Sequence, residues 1–193
     1  MIDDLIQRFT TKYEVLRGFT HVADNVAEAA DIAASIVKEV EGKRVALGDL
    51  PDNVLQVFED RCREDGAEVI KPPYNNSDLP DLIDTAHVGI SWTKFAIAET
   101  GTLVEANTDD SLRLVSLLPR VHVGLVMAEN LVDTLSEAAP LMRGFFSNNS
   151  RNAVVTFISG PSRTGDIEMR LTLGVHGPEV SHAIVIRGKN GDA

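Results

Sequence analysis

The segment Ile158-Ser159-Gly160-Pro161-Ser162-Arg163-Thr164-Gly165-Asp166-Ile167-Glu168 holds the densest chemistry in the chain. Ser159, Ser162 and Thr164 supply hydroxyls, and Arg163 supplies a planar fork of donors that matches a carboxylate or phosphate. Gly160 and Gly165 allow backbone angles that other residues resist and let a ligand approach the main chain. The segment follows Ala153-Val154-Val155-Thr156-Phe157, a run with the β-branched and aromatic character of a buried strand. A loop of this kind at the end of a parallel strand is where α/β proteins hold anions, so Ser159, Gly160, Ser162, Arg163, Thr164 and Asp166 form the expected binding set. A local structural role stands beside it: Ser162 or Thr164 capping a following helix whose first turn carries Asp166 and Glu168. The pattern is neither a Gly-Lys-Ser/Thr phosphate loop nor the Gly-x-Gly-x-x-Gly of a dinucleotide site.

Two further residues are expected to do chemistry. Glu99 in Ala98-Glu99-Thr100-Gly101-Thr102 follows an apolar run, where a carboxylate serves as nucleophile, general base or ligand-orienting group. A solvated turn residue beside a bending glycine is the other reading. Thr100, Gly101 and Thr102 join the binding set with it. His176, in Val175-His176-Gly177-Pro178, is the best placed of five histidines: its turn either presents it to a ligand or ties it to backbone. His21, His87, His122 and His182 show no His-x-x-x-His or His–Glu pairing, which argues against a dedicated metal site. Trp92 and Phe95 suit a pocket wall or plain packing.

Composition bounds the rest. With 193 residues the chain can bury a sizeable core. A formal net charge of -11 argues against a general binder of nucleic acid or anionic membrane, but one arginine in a pocket can still hold a small anion. The single Cys62 forms no internal disulfide and anchors no iron–sulfur cluster or structural zinc by itself, so a reducing cytoplasm is the expected setting and a packing role the expected one for this thiol. The start Met1-Ile2-Asp3-Asp4-Leu5 lacks the basic, apolar character of a signal peptide, and no apolar run reaches the roughly 18 residues of a membrane span.

The elements that must position these residues follow from periodicity. Residues 2–17 and 22–40 carry apolar stripes at helical spacing, closed by Gly18 and Gly42. Strands are expected at 44–48, 67–70 and 87–90, with a helix from Pro51 through Glu64 and a short one near 78–85. Residues 95–98 and 102–105 resemble a hairpin about Glu99-Thr100-Gly101, while 112–118 and 121–127 read as strands on either side of Pro119-Arg120. A helix over 130–146, a short helix near 166–172 and a last strand at 183–186 complete the pattern. Alternating elements of this kind predict an α/β domain with an open, largely parallel sheet in three layers. An N-terminal helical extension over 1–42 and a main domain over 43–193 are the expected divisions.

Four motifs in order carry a resemblance: Phe95 to Val104, Arg113 to His122, Ile158 to Glu168, and Leu173-Gly174-Val175-His176-Gly177-Pro178. Together they resemble the LUD-domain family, in its lactate-utilisation protein C branch, strongly over about residues 86–187. Gly165 stands where the family often has Ala, which is expected to loosen the helix start. The resemblance implies a fold like that of ribose-5-phosphate isomerase, glucosamine-phosphate deaminase and coenzyme A transferase. It also implies a cytoplasmic, cluster-free subunit of a system that oxidises L-lactate to pyruvate, with iron–sulfur clusters on partner subunits and no cofactor of its own. In that setting Arg163 would meet a small carboxylate, while Glu99 and His176 orient it or move protons. Two alternatives stay open: a stand-alone enzyme on a phosphorylated sugar, acyl-coenzyme A or folate-like substrate with Glu99 as nucleophile or base, and a non-catalytic interaction module whose N-terminal helix and acidic surface bind partners or a second copy.

Overall fold

A computed structural model describes residues 1–149, 151–165 and 171–188. The first half runs α1 (Ile2–Val15), β1 (Phe19–Ala23), α2 (Val26–Glu39), β2 (Arg44–Leu47), α3 (Asp52–Glu64), β3 (Glu68–Ile70), α4 (Asp81–Asp84) and β4 (Val88–Trp92). The second half runs β5 (Phe95–Ile97), β6 (Thr102–Asn107), α5 (Asp110–Leu117), β7 (Val121–Met127), β8 (Leu131–Val132), α6 (Leu135–Asn148), β9 (Val154–Ile158), β10 (Arg163–Gly165), β11 (Leu171–Leu173) and β12 (Val180–Ile186). Six strands in the order β1-β12-β7-β4-β2-β3, parallel throughout, form the expected open sheet. A second sheet, β8-β5-β6-β9, is hydrogen-bonded separately and packs Leu103 against the central one, and β10 and β11 make a small antiparallel ribbon.

Alternation along the central strands divides the core in two. Val88, Ile90 and Trp92 of β4, Val121, Val123, Leu125 and Met127 of β7, and Ile184 and Ile186 of β12 pack beneath α2 and α3. Val126 of β7 and Ala183 and Val185 of β12 turn the other way, onto α1 and Leu103 of β6. Ile6, Phe9 and Tyr13, one helical turn or so apart on α1, complete that second core. The outer side of the second sheet packs Phe95, Ile97 and Val104 against Ala138 of α6.

Three expectations change. The helix expected over 22–40 starts at Val26, because Phe19–Ala23 form an edge strand in parallel register with β12 from Phe19↔His182 to Ala23↔Ile186. The segment expected as a helical extension therefore supplies both a strand of the central sheet and one of its covering helices, and α2 shares a core with Val45 and Leu47 across the division at residue 42. The strand expected over 112–118 is the helix α5, which Asp109 starts by accepting the Ser111 N–H at 2.8 Å. The short helix expected near 166–172 lies outside the described residues over 166–170, and Leu171–Leu173 is a strand.

Candidate functional site

The strand ahead of the Ser-Arg-Thr loop is not one of the central parallel strands. β9 pairs antiparallel with β6 at the edge of the second sheet, with Ile158 opposite Leu103 and Thr156 opposite Glu105. The loop that follows is therefore organised by a neighbouring turn rather than by a parallel strand end. Ser162 holds the two together: its N–H donates to the Pro178 carbonyl at 2.8 Å, its carbonyl accepts from the Gly174 N–H at 3.1 Å, and its hydroxyl accepts from the His176 N–H at 3.3 Å. This lacing replaces the expected helix cap, and Arg163 and Thr164 lie in β10 instead. Arg163 is exposed and donates to the Ser159 carbonyl at 3.4 Å, and His176 is exposed beside it in sequence-distant space. Ser159, Gly160, Ser162, Arg163 and His176 all line one cleft of about 300 Å³, together with Ser116 from α5. Asp166 lies outside the described residues.

The Glu99 motif has a different place. Glu99 is exposed; its carboxylate accepts the Leu135 N–H at 3.1 Å, satisfying one of the unpaired donors at the start of α6. It does not line the cleft. Thr100, Thr102 and Ser159 form a chain of hydroxyls at 2.7 and 2.8 Å, so the two motifs meet through Thr102 and Ser159. Their glycines meet at α1. Gly101 has φ +61°, and a Cβ there would stand 2.5 Å from the Tyr13 nitrogen and 2.6 Å from the Lys12 carbonyl carbon. Gly160 has φ +84°, and its Cβ would stand 2.6 Å from the Leu16 carbonyl oxygen. Gly101 and Gly160 thus make room for the backbone of α1 and its end. Tyr13 ends the seat by hydrogen bonding to Ser181, with the Gly160 amide also facing its phenol oxygen.

A polar cluster missed at the sequence level lies under the cleft. Ser116 lines the cleft while only 4% exposed, and its hydroxyl donates to Glu105 Oε2 at 2.8 Å. Glu105, 1% exposed, faces the central sheet from β6, where Ser91 of β4 and His122 of β7 stand opposite. Ser91 Oγ and His122 Nε2 are 2.8 Å apart, and His122 Nε2 is 3.9 Å from Glu105 Oε1. Burial pushes the Glu105 carboxyl above its usual range, opposed in part by hydrogen bonds from Ser91 and Ser116. Burial also holds His122 down at about 3, with nearby His182 adding to the effect, so His122 is neutral at pH 7. Alternation alone carried a faint signal: a glutamate in Leu103-Val104-Glu105-Ala106 falls on the same face as Leu103.

Among the described residues there is no group of three or more His, Cys, Asp or Glu side chains able to hold a metal ion. No helix among them is long and apolar enough to cross a membrane.

Comparison with known proteins places this geometry. Relatives named lactate utilization protein C include one from Anoxybacillus flavithermus, 37% identical over 109 residues covering 56% of this chain and 48% of that protein. One from Shouchella clausii is 37% identical over 119 residues, covering 60% and 52%. One from Bacillus subtilis is 35% identical over 104 residues, covering 53% and 43%. The chain thus spans about half the length of the curated relatives it matches. The crystal structure of a DUF162 family protein from Deinococcus radiodurans superposes with a TM-score of 0.67 at 21% identity, covering 96% of this chain and 98% of that one, and so shares its fold. The model of the LUD domain matches residues 6–186, from within α1 to the last residue of β12, and the chain belongs to the LUD domain family.

Proposed function

We propose that the cleft binds a small carboxylate of the lactate–pyruvate kind and that the chain serves lactate utilisation as a cluster-free component beside iron–sulfur subunits. The observation that carries this reading is the lacing of two loops by Ser162, which brings Arg163 and His176 to one cleft. A guanidinium there offers paired donors to a carboxylate, and the hydroxyls of Ser159 and Ser162 stand in the same lining. A volume of about 300 Å³ suits a ligand of few heavy atoms. The names of the relatives support lactate utilisation as the setting, and a lone Cys62 fits a component that carries no iron–sulfur cluster itself. The reading with Glu99 as nucleophile of a stand-alone enzyme draws less support, since its carboxylate is engaged at the start of α6 and outside the cleft.

Calorimetric titration of the purified protein with L-lactate and with pyruvate tests the ligand. Arg163→Ala should weaken binding by about ten- to a hundredfold, the worth of one hydrogen bond to a charged group. Equal affinity in the variant, or no binding of either acid to the parent protein, would remove the reading. Co-purification of Cys-rich partners with a tagged copy tests the assembly.

A further inference from the structure

Beneath the cleft, four polar side chains from four different elements converge in an otherwise apolar interior. Ser116 comes from α5, Glu105 from β6, Ser91 from β4 and His122 from β7. All four are at least nine-tenths buried. Burying a carboxyl and an imidazole costs free energy that apolar residues would not, and here neither group is fully compensated. Glu105 Oε1 and His122 Nδ1 are buried without a hydrogen-bond partner among the described residues. His122, whose Nε2 stands 3.9 Å from Glu105 Oε1, stays neutral and supplies no charge to balance a carboxylate there. A purely structural cluster in this position would be expected to close its own bonds. Ser116 links this interior to the cleft, since it both lines the cleft and bonds Glu105.

We propose that Glu105 is the proton-exchanging group of this cleft, acting through the Ser116 hydroxyl, with Ser91 and His122 completing the buried chain behind it. Glu105 holds its proton in the resting protein, and the path runs from the cleft to Ser116 Oγ and on to Glu105 Oε2. From that state Glu105 gives its proton to Ser116 Oγ as Ser116 passes its own hydroxyl proton to a cleft group, which leaves Glu105 a carboxylate. The reverse passage, when a cleft group gives up a proton, restores the carboxyl. Ser91, between Glu105 and His122 Nε2, fixes the carboxyl's orientation. Glu105 is thus a positioning and proton-holding residue, with Ser116 the group that would touch the ligand. This places the polar, hydroxyl- or keto-bearing end of a bound acid at Ser116 and its carboxylate at Arg163, and that orientation alone rests on the carboxylate reading given above.

Infrared spectroscopy of the protein without any ligand tests the exchange. At neutral pH the parent should show a protonated-carboxyl C=O band, absent in Glu105→Gln and moved rather than lost in Glu105→Asp. On transfer to D₂O, that band should shift about tenfold more slowly in Ser116→Ala than in the parent, the worth of one hydrogen bond in the exchange path. Circular dichroism checks the fold of each variant, and Ser116→Thr, which keeps the hydroxyl, should exchange at the parental rate. A parent without the band, or Ser116→Ala exchanging as fast as the parent, would overturn the proposal. If neither L-lactate nor pyruvate binds while these spectral results hold, the ligand assignment falls and the Ser116–Glu105 path stands.

Discussion

Replacing Gly101 with alanine should release the N-terminal helix without touching any ligand. The residue sits at φ +61°, where an L side chain costs about 1–2 kcal/mol. Its new Cβ would stand 2.5 Å from the Tyr13 nitrogen and 2.6 Å from the Lys12 carbonyl carbon, both backbone atoms that cannot swing aside. Overpacking of that kind costs about 1–3 kcal/mol, so the sum is about 2–5 kcal/mol. Against the roughly 5–15 kcal/mol total of an ordinary domain, that is a large share. Because Ile6, Phe9 and Tyr13 are buried through α1, the loss should fall first on that helix. Urea unfolding should show a lowered midpoint, and hydrogen exchange should show lost protection over residues 2–15 ahead of the central strands. Gly165→Ala is the control, since a Cβ there meets nothing within 4 Å and should change stability by no more than about 0.5 kcal/mol. A Gly101→Ala loss below about 1 kcal/mol, or α1 amides protected as before, would refute the assignment of this glycine as a helix seat.

Two other outcomes are expected. Burial lowers the pKa of His21, and burial with His21 nearby holds His182 at about 4, so both bind protons more readily once unfolded. The unfolded chain then binds more protons between the free value of 6.5 and about 4, so stability should fall as pH falls through that window. Glu105, with its raised pKa, acts in the opposite sense, its contribution being lost as pH rises past the carboxylate range. Melting temperature against pH should therefore slope less steeply between 6.5 and 4 in a His21→Gln, His182→Gln double variant, with buried His122 keeping the remainder; an unchanged slope would discard the histidine pair as a source. Asn25→Ala should cost about 1 kcal/mol in urea unfolding, because Asn25 Oδ1 accepts the Glu28 N–H at 2.9 Å at the start of α2; no measurable change would deny that cap a role.

Periodicity made much of the scaffold legible. The stripe of Ile6, Phe9 and Tyr13, the Ala-rich face of α2 and the mostly apolar, Val-rich run of β7 each state a local pattern that burial then uses. The hairpin of β5 and β6 was visible for a similar reason, with a glycine between two β-prone runs. β1 was lost because Val22 fits the spacing of the α2 stripe, while Phe19-Thr20-His21 shows no clean alternation at a sheet edge. α5 was misread because Leu112, Leu114, Val115, Leu117 and Leu118 make an aliphatic-rich run that suits a buried strand as well as a helix, and the Asp109–Ser111 cap was the weaker, overlooked sign.

The site divides along the same line. Residue types alone pointed to Arg163, Ser162 and His176, and the fold brings them to one cleft. They could not say that Gly101 and Gly160 would receive the backbone of α1, because a glycine's neighbour is set by chain atoms nearly 90 to 150 positions away. Nor could they single out Glu105, which in sequence is one polar residue at the end of a strand. Its character comes from the second sheet laid against the first, which takes the carboxyl out of water and leaves it only Ser116, Ser91 and a neutral His122 for company. Sequence by itself determined most of the helices and strands and which side chains carry reactive groups, since both are largely properties of short stretches. Tertiary structure alone decided which groups are buried, which meet, and which of them keep a proton, because desolvation and contact depend on partners far away along the chain.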